Sequence, residues 1–478
     1  MWTEGRNSRP TVHNLLFAIC STYIMNTIKI KKGLDIGIPG TAARTVHTCG
    51  SAVKGMLYAV KPTDYVGIAP RLTVSEGDVV QAGSVLFEDK HNAAARFVAP
   101  VGGTVKSIVR GDKRALLAVV VEADGSEARP AAAIQPGKER EAMIESGLWT
   151  LLKQRPFGTV PQGDAKPKAV FISAFDSSPL PVDIPFMLKG REKDFQAGID
   201  AMKAIAGTVH LSLQGNRDNG FLEEVKNAEI HHFQGPHPAG LVGTQIAAID
   251  PINKGETVWT VGAQDVATIG RFFTTGVYNP ERLVAMCGPA VENPQYYRTL
   301  AGASLTSLEA ESGERKAENV RYICGDVLSG VSVAADGFIS AACDKVSVLP
   351  EGDYYDFLGW LRPNFKKFSF SRTFLSGFLK RKAQSGKRRA FTFNFDTGRH
   401  GSVRPLFVTG EFEKLVPLDI YPMQLIKACI AGDIEKTENL GIYEVEPEDL
   451  ALCEFADTSK TEIQAIIREG LERIRKES

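Results

Sequence analysis

The hydrophobic period of this chain changes near residue 130, and no other feature constrains its fold as much. Ahead of the change, from residue 28 to about 125, short apolar runs at 65–68, 84–87, 104–109 and 116–122 are separated by turn residues. Those turns include Glu76-Gly77-Asp78, Gln81-Ala82-Gly83 and Pro100-Val101-Gly102-Gly103. Roughly seven strand-length pieces in about 100 residues predict a small β-sandwich or barrel. A linker rich in Ala and Pro follows at 126–138. Beyond it, a helix over 139–153 carries Met143, Ile144, Leu148, Leu151 and Leu152 on one side. Strands at 168–173, 208–213 and 257–261 then alternate with helices at about 195–206 and 263–273. That alternation predicts an α/β unit with a largely parallel sheet. After Pro289 the pattern is mixed, with short strands at 321–323 and 346–348, and from Asp419 onward it is helical. The last predicted helix, 461–476, has an apolar stripe of Ile463, Ile466, Ile467, Leu471 and Ile474.

Length and charge narrow the function classes. At 478 residues the chain is long enough for three or four domains. Its 56 basic and 56 acidic residues cancel, so net charge argues for neither nucleic acid nor membrane. The seven cysteines, Cys20, Cys49, Cys287, Cys324, Cys343, Cys429 and Cys453, are widely spaced and form no CxxC pair. This argues against a disulfide framework, a zinc ribbon and a cysteine-ligated iron–sulfur cluster, and for a reducing compartment. A membrane-spanning helix needs about 20 apolar residues. The nearest candidate, 15–24, is about half that length and holds Thr22 and Tyr23. No small-residue cleavage site follows it, so Met25 is read as the start and residues 1–24 as an over-extended one.

Five segments could carry chemistry. Val74 to Leu86, then Glu88-Asp89-Lys90 and the A-P-V-G-G-T-V run at 99–105, resemble a biotinyl or lipoyl domain, with Lys90 in the place of a modified lysine. The stretch 91–96 is longer than such a hairpin, and an unmodified surface lysine is the simpler reading. A phosphate cradle needs glycines that let backbone N–H groups approach the ligand. Neither dinucleotide fingerprint nor P-loop occurs, and 155–161, R-P-F-G-T-V-P, offers one glycine and two prolines. His231, His232 and His237, with Glu229 just upstream, match no metal spacing and read as a rigid loop of exposed histidines; no metal is expected. Residues 357–395 contain ten Lys or Arg, ten aromatics and no acid. Lys380, Arg381, Lys382, Lys387, Arg388 and Arg389 there are the expected contacts to anionic lipid or to a membrane-embedded partner. Nucleic acid is the weaker alternative, since no recognised binding motif accompanies them. Finally, Glu446, Glu448 and Asp449 read as helix-capping acids and not as catalytic carboxylates.

Several unrelated motifs occur in one order: G-P-H-P-A-G-L-V-G-T at 235–244, V-W-T-V-G-A-Q-D-V-A-T-I-G-R-F-F-T-T-G at 258–276, C-G-P-A-V-E-N-P at 287–294, A-G-D at 431–433 and E-P-E-D-L-A-L-C-E-F at 446–455. Together they resemble the family of A subunits of the Na⁺-translocating NADH:quinone reductases, from about Met25 to Ser478. The layout is also similar to the C subunits of Rnf complexes and to the flavin-bearing subunit of respiratory complex I. Those relatives carry a glycine-rich flavin loop where this chain has 155–161, and cysteine-ligated clusters that its cysteine spacing argues against. One departure is A-D-T-S-K-T-E at 456–462, where the family often has a Cys-Pro-Gly-Lys-like stretch.

The resemblance implies an α+β multidomain fold. Its parts are a barrel-sandwich hybrid at 25–130, a Rossmann-like α/β domain at 131–290, and a small β-grasp domain at 291–365. A basic, aromatic connection at 366–418 and a helical C-terminus at 419–478 complete it. It implies a peripheral subunit on the cytoplasmic face of the bacterial inner membrane. Five other subunits would be its partners, above all the quinone- and flavin-bearing membrane subunit. That complex reduces quinone with NADH and exports Na⁺. The implied role is to support quinone reduction or assembly, with no tightly bound cofactor, quinone as the one associated ligand, and no catalytic residue in this chain. The alternatives are a carrier protein modified at Lys90 and a basic nucleic-acid-binding scaffold.

Overall fold

Short antiparallel strands around a shared apolar core build the first domain. The computed structural model describes residues 27–48, 54–126, 135, 137–312, 319–355, 357–359, 361, 363–364, 367–368, 370 and 392–477. Residues 1–24, and Lys380, Arg381, Lys382, Lys387, Arg388 and Arg389, lie outside the described residues. Strands Leu57–Val60, Leu116–Ala123, Gly103–Arg110 and Val79–Val80 form one antiparallel sheet. Strands Pro70–Leu72, Val85–Asp89 and Arg96–Val98 form a second. Their inward faces bury Leu86, Phe87, Phe97, Val105, Val119 and Val121 in one core. The turn at Gly77 has φ of 90°, which glycine adopts without Cβ strain. Asp78 closes that turn by accepting the Ser75 N–H at 2.8 Å.

The α/β domain is a six-stranded sheet in the order Thr27–Lys29, Glu229–Gln234, Val209–Gln214, Val170–Ser173, Val258–Thr260, Lys153–Arg155. Only Lys153–Arg155 runs antiparallel. Val170 and Ile172 pack with helices Glu192–Ala206 and Ala263–Thr275. Ala169 and Phe171 pack with helix Val242–Ile249 on the other face. Burial on both faces explains why this strand reads as a continuous apolar run. The expected helix at 139–153 is shorter than its periodicity suggests. Helix Glu139–Glu145 is followed by Gly147 at φ of 77°, a 3₁₀ turn Leu148–Leu151, and then the edge strand Lys153–Arg155. The left-handed glycine redirects the chain so that Leu148, Trp149 and Leu152 all reach the core.

A third sheet has the order Val331–Val333, Val320–Cys324, Lys345–Pro350, Glu281–Cys287, Gln295–Leu300, Val46–Thr48. The segment 27–48 thus edges two sheets, through Thr27–Lys29 in one and Val46–Thr48 in the other. Strands of three residues carry no periodicity that would reveal such partners. Helices Pro422–Ala431, Ile434–Asn439, Ala451–Ala456 and Ile463–Glu477 follow. Ile463, Ile467, Leu471 and Ile474 are fully buried against Met423, Leu425 and Ile426. Each such side chain contributes about 1.5–3 kcal/mol. Gly432 ends the first of these helices in the left-handed conformation, and Asp433 caps the next by accepting the Lys436 N–H at 3.0 Å. Among the described residues no helix is long and apolar enough to cross a membrane.

Candidate functional site

The loop 155–161 is closed on itself and then locked by the C-terminal helices. Gln154 N–H donates to Thr159 O at 2.7 Å and Gly158 N–H to Gln154 O at 2.9 Å. Arg155 is buried, with Nη1 2.8 Å from Asp449 Oδ2 and Nη2 2.6 Å from Glu448 Oε1. Arg468 donates to Phe157 O at 2.8 Å and to Glu446 Oε2 at 2.5 Å. Asp449 also accepts the Glu446 N–H at 2.9 Å, which makes the two acids a capping box. Burial works against the Arg155 charge. The carboxylates of Asp449, Glu448 and Glu446 outweigh it and push its pKa up.

Asp449 also lies over the first turn of helix Val242–Ile249. A Cβ on Gly243 would sit 2.2 Å from Asp449 Oδ1 and 2.5 Å from Arg155 Nη1. A helix start collects partial positive charge and unpaired N–H groups, which is what a phosphate seeks. Here the chain's own carboxylate crowds that turn, while its hydrogen bonds go to Arg155 and to the Glu446 N–H. The capping role read from the sequence for Glu446 and Asp449 is present. The ion pair that buries Arg155 leaves no local sequence signal, because its partners are 293 and 294 residues away.

A cleft opens where the three domains meet. Tyr65, Phe97, Thr150, Asp265, Tyr278 and Arg282 line it, and it encloses about 40 Å³. That is room for a few waters. Tyr65 shares a hydrogen bond with Thr150 and packs edge-on to Phe97 at 4.6 Å. Burial pushes both phenols above their ordinary pKa, with the Asp64 and Asp265 charges adding to it at Tyr65 and Tyr278 respectively. Both are therefore neutral donors at neutral pH. Arg282 forms the charged floor, 3.1 Å from Asp265 and 2.7 Å from Asp344, and it donates to Cys343 O at 3.0 Å. The cleft thus sets polar hydroxyls and a paired cation against an apolar wall. Tyr65, Tyr278 and Arg282 belong to no sequence motif that would flag them, since each comes from a different element.

Lys90 is exposed at the end of strand Val85–Asp89. The loop after it is pinned: Asn92 Nδ2 donates to Val160 O at 3.2 Å and to Pro161 O at 2.9 Å, and Ala94 and Ala95 are buried. A swinging carrier arm needs a free hairpin tip, which this is not. The histidine segment corrects the expectation of an exposed loop. His231 and His232 lie in strand Glu229–Gln234, and His232 and His237 are buried. Alternation sends His231 and His232 apart. His232 meets Glu223 at 3.0 Å, and His237 Nδ1 meets Ser177 Oγ at 3.1 Å. His231 Nε2 lies 3.1 Å from Nδ1 of His210, on the neighbouring strand. Burial lowers the pKa of both His210 and His231. Cys287, in the C-G-P-A-V-E-N-P motif, is buried, and its thiol is pushed up to about 11 by that burial.

Three family profiles cover most of the chain. They are the NqrA N-terminal barrel-sandwich hybrid domain at 28–124, the NqrA second alpha/beta domain at 135–278, and the NQRA C-terminal domain at 283–335. Among curated relatives, the A subunit of the Na(+)-translocating NADH-quinone reductase of Haemophilus influenzae (strain PittGG) is 38% identical over 462 residues, covering 94% of this chain and all of the relative. The protein of the same name from Actinobacillus pleuropneumoniae serotype 5b (strain L20) is 39% identical over the same span and coverage. That of Histophilus somni (strain 2336) is 38% identical over 460 residues, with 94% and 100% covered. A chain of an NAD⁺-reducing [NiFe]-hydrogenase in the H2-reduced state overlaps 45% of this chain and 47% of its own length at 13% identity and a TM-score of 0.34, too remote to carry an argument. Identity above one third over the full length of such relatives is decisive: the chain belongs to the NqrA family, the A subunits of Na(+)-translocating NADH-quinone reductases.

Proposed function

We propose that this chain is the peripheral, cytoplasmic-face subunit of a sodium-pumping NADH:quinone reductase, and that it supports quinone reduction and assembly without a flavin or iron–sulfur cluster of its own. One observation carries the second half of that reading: the Arg155–Asp449 lock. The resemblance implies a glycine-rich flavin loop at this place in the flavin-bearing relatives, whereas here an arginine, two prolines and a carboxylate from the C-terminal region fill it. Electrons from NADH then pass through partner subunits, and the quinone- and flavin-bearing membrane subunit is the expected neighbour. Quinone is the ligand that the chemistry of the cleft suits. Neutral Tyr65 and Tyr278 can donate to its carbonyls, and Phe97 offers an apolar wall. At about 40 Å³ the closed cleft holds only a few waters, so quinone binding would require its lining side chains to move.

The test is purification of the complex through a tag on this chain. Five further subunits and Na⁺-stimulated, NADH-driven quinone reduction should come with it. The chain purified alone should show no flavin absorbance and no iron–sulfur EPR signal. Stoichiometric FMN on the isolated polypeptide would overturn the cofactor-free reading, and an untagged membrane complex of full activity without this chain would overturn the assignment.

A further inference from the structure

The parallel register of two neighbouring strands gathers a ligand set that no motif shows. His210 is paired with Glu229, and Ser212 with His231, between strands Val209–Gln214 and Glu229–Gln234. Residues two apart on a strand share a face, so Glu229 and His231 point the same way as His210. The result is three donor atoms in one place. His210 Nδ1 is 3.1 Å from His231 Nε2 and 3.4 Å from Glu229 Oε2, and all three lie within 4.8 Å of one another.

These spacings carry chemical information. Zinc binds imidazole nitrogen at about 2.0–2.1 Å and carboxylate oxygen at about 2.0–2.2 Å in a tetrahedron, which places its ligand atoms about 3.3–3.5 Å apart. Two of the distances here are close to that edge. A plain hydrogen-bond reading accounts for less. Between His210 Nδ1 and His231 Nε2 only one ring can donate, and Glu229 then competes for the same proton. The His210 ring is also fixed against Phe171, with centroids 4.7 Å apart, as a preorganised ligand should be. Depth differs across the set: His210 is buried, His231 is half-buried and Glu229 is exposed. An ion would therefore be reached from solvent and would keep its fourth position open.

We propose that His210, Glu229 and His231 form a site for a divalent transition metal of the zinc class, bridging two adjacent strands of the α/β sheet. It departs from the sequence expectation of no metal, and it stands apart from the electron-transfer reading above. Cobalt is the probe, because a tetrahedral Co²⁺ site has an intense visible spectrum. The full chain, stripped with a chelator, is titrated with Co²⁺ and then challenged with Zn²⁺. One equivalent should bind with a tetrahedral spectrum and be displaced by one equivalent of Zn²⁺. Glu229→Gln changes an exposed residue and should fold normally; it should weaken binding at least tenfold. His210→Gln should abolish the spectrum. His232→Gln, on the other face beside Glu223, should leave it unchanged. Absence of a tetrahedral spectrum in the unmodified chain, or an unchanged affinity in Glu229→Gln, would overturn the site.

Discussion

Arg155 shows how one residue can decide what a scaffold no longer does. Its guanidinium is surrounded by Asp449 and Glu448, and Asp449 is buried with it. Two charges taken from water are held only by each other and by their hydrogen bonds, so removing one is worse than removing both. Arg155→Met should therefore cost about 3–5 kcal/mol of stability, because it leaves the Asp449 carboxylate buried without its cation. Adding Asp449→Asn to that variant keeps an acceptor for the Glu446 N–H and removes the stranded charge, so most of the loss should return. Urea unfolding of the two variants checks this, and an additive loss in the double variant would count against the lock. Half of the arrangement is visible in the sequence. Acids after a proline are a helix-start signature, so the capping was legible. A partner nearly 300 residues away is set by how domains dock, which local pattern cannot encode.

At the scale of elements, most strands and helices follow from periodicity, and the exceptions have local causes. Gly147 stops the first predicted helix early. The histidine segment reads as a loop because proline and glycine at 235–238 punctuate it, yet the loop begins only after Gln234. Two further glycines do the opposite and permit packing. Helices Glu192–Ala206 and Ala263–Thr275 meet at Gly198 and Gly270. A Cβ on Gly270 would lie 1.7 Å from Asp194 O, and one on Gly198 would lie 2.0 Å from Val266 O. Two effects then compete in Gly270→Ala. Alanine gains about 1 kcal/mol of helix propensity over glycine. The backbone clash forces the helices apart, at about 1–3 kcal/mol or more. A clash with main-chain atoms cannot be relieved by a rotamer change, so the second effect should win, with a net loss of about 2 kcal/mol. Thermal unfolding measures it, and a raised Tm in Gly270→Ala would refute the packing argument.

Across the whole molecule, the motifs that carry the family resemblance are mostly joints between domains. In V-G-A-Q-D, Gln264 donates to Leu283 O at 2.9 Å and to Asp344 at 2.7 Å, while Asp265 meets Arg282. In G-P-H-P-A-G, His237 N–H donates to Asp35 of the N-terminal segment at 2.9 Å. Lys345 of the third sheet is buried 2.7 Å from Asp176 of the α/β domain and also donates to Leu180 O at 3.3 Å. The segment 27–48 adds a strand to both sheets. Domains joined in this way should not unfold separately, because opening a joint exposes its apolar surface and breaks its ion pairs and hydrogen bonds before much chain entropy is gained. The chain should thus unfold in one cooperative step despite its size. Trp149 and Trp259 pack 5.2 Å apart in the α/β core. With the other two tryptophans replaced by Phe, their fluorescence reports that domain alone, whereas circular dichroism reports the whole. The two urea transitions should coincide. In Lys345→Met, which leaves Asp176 without its cation, they should separate, with the α/β signal persisting to higher urea. Separate transitions in the unmodified chain would mean that these joints hold the domains in place without coupling their stability.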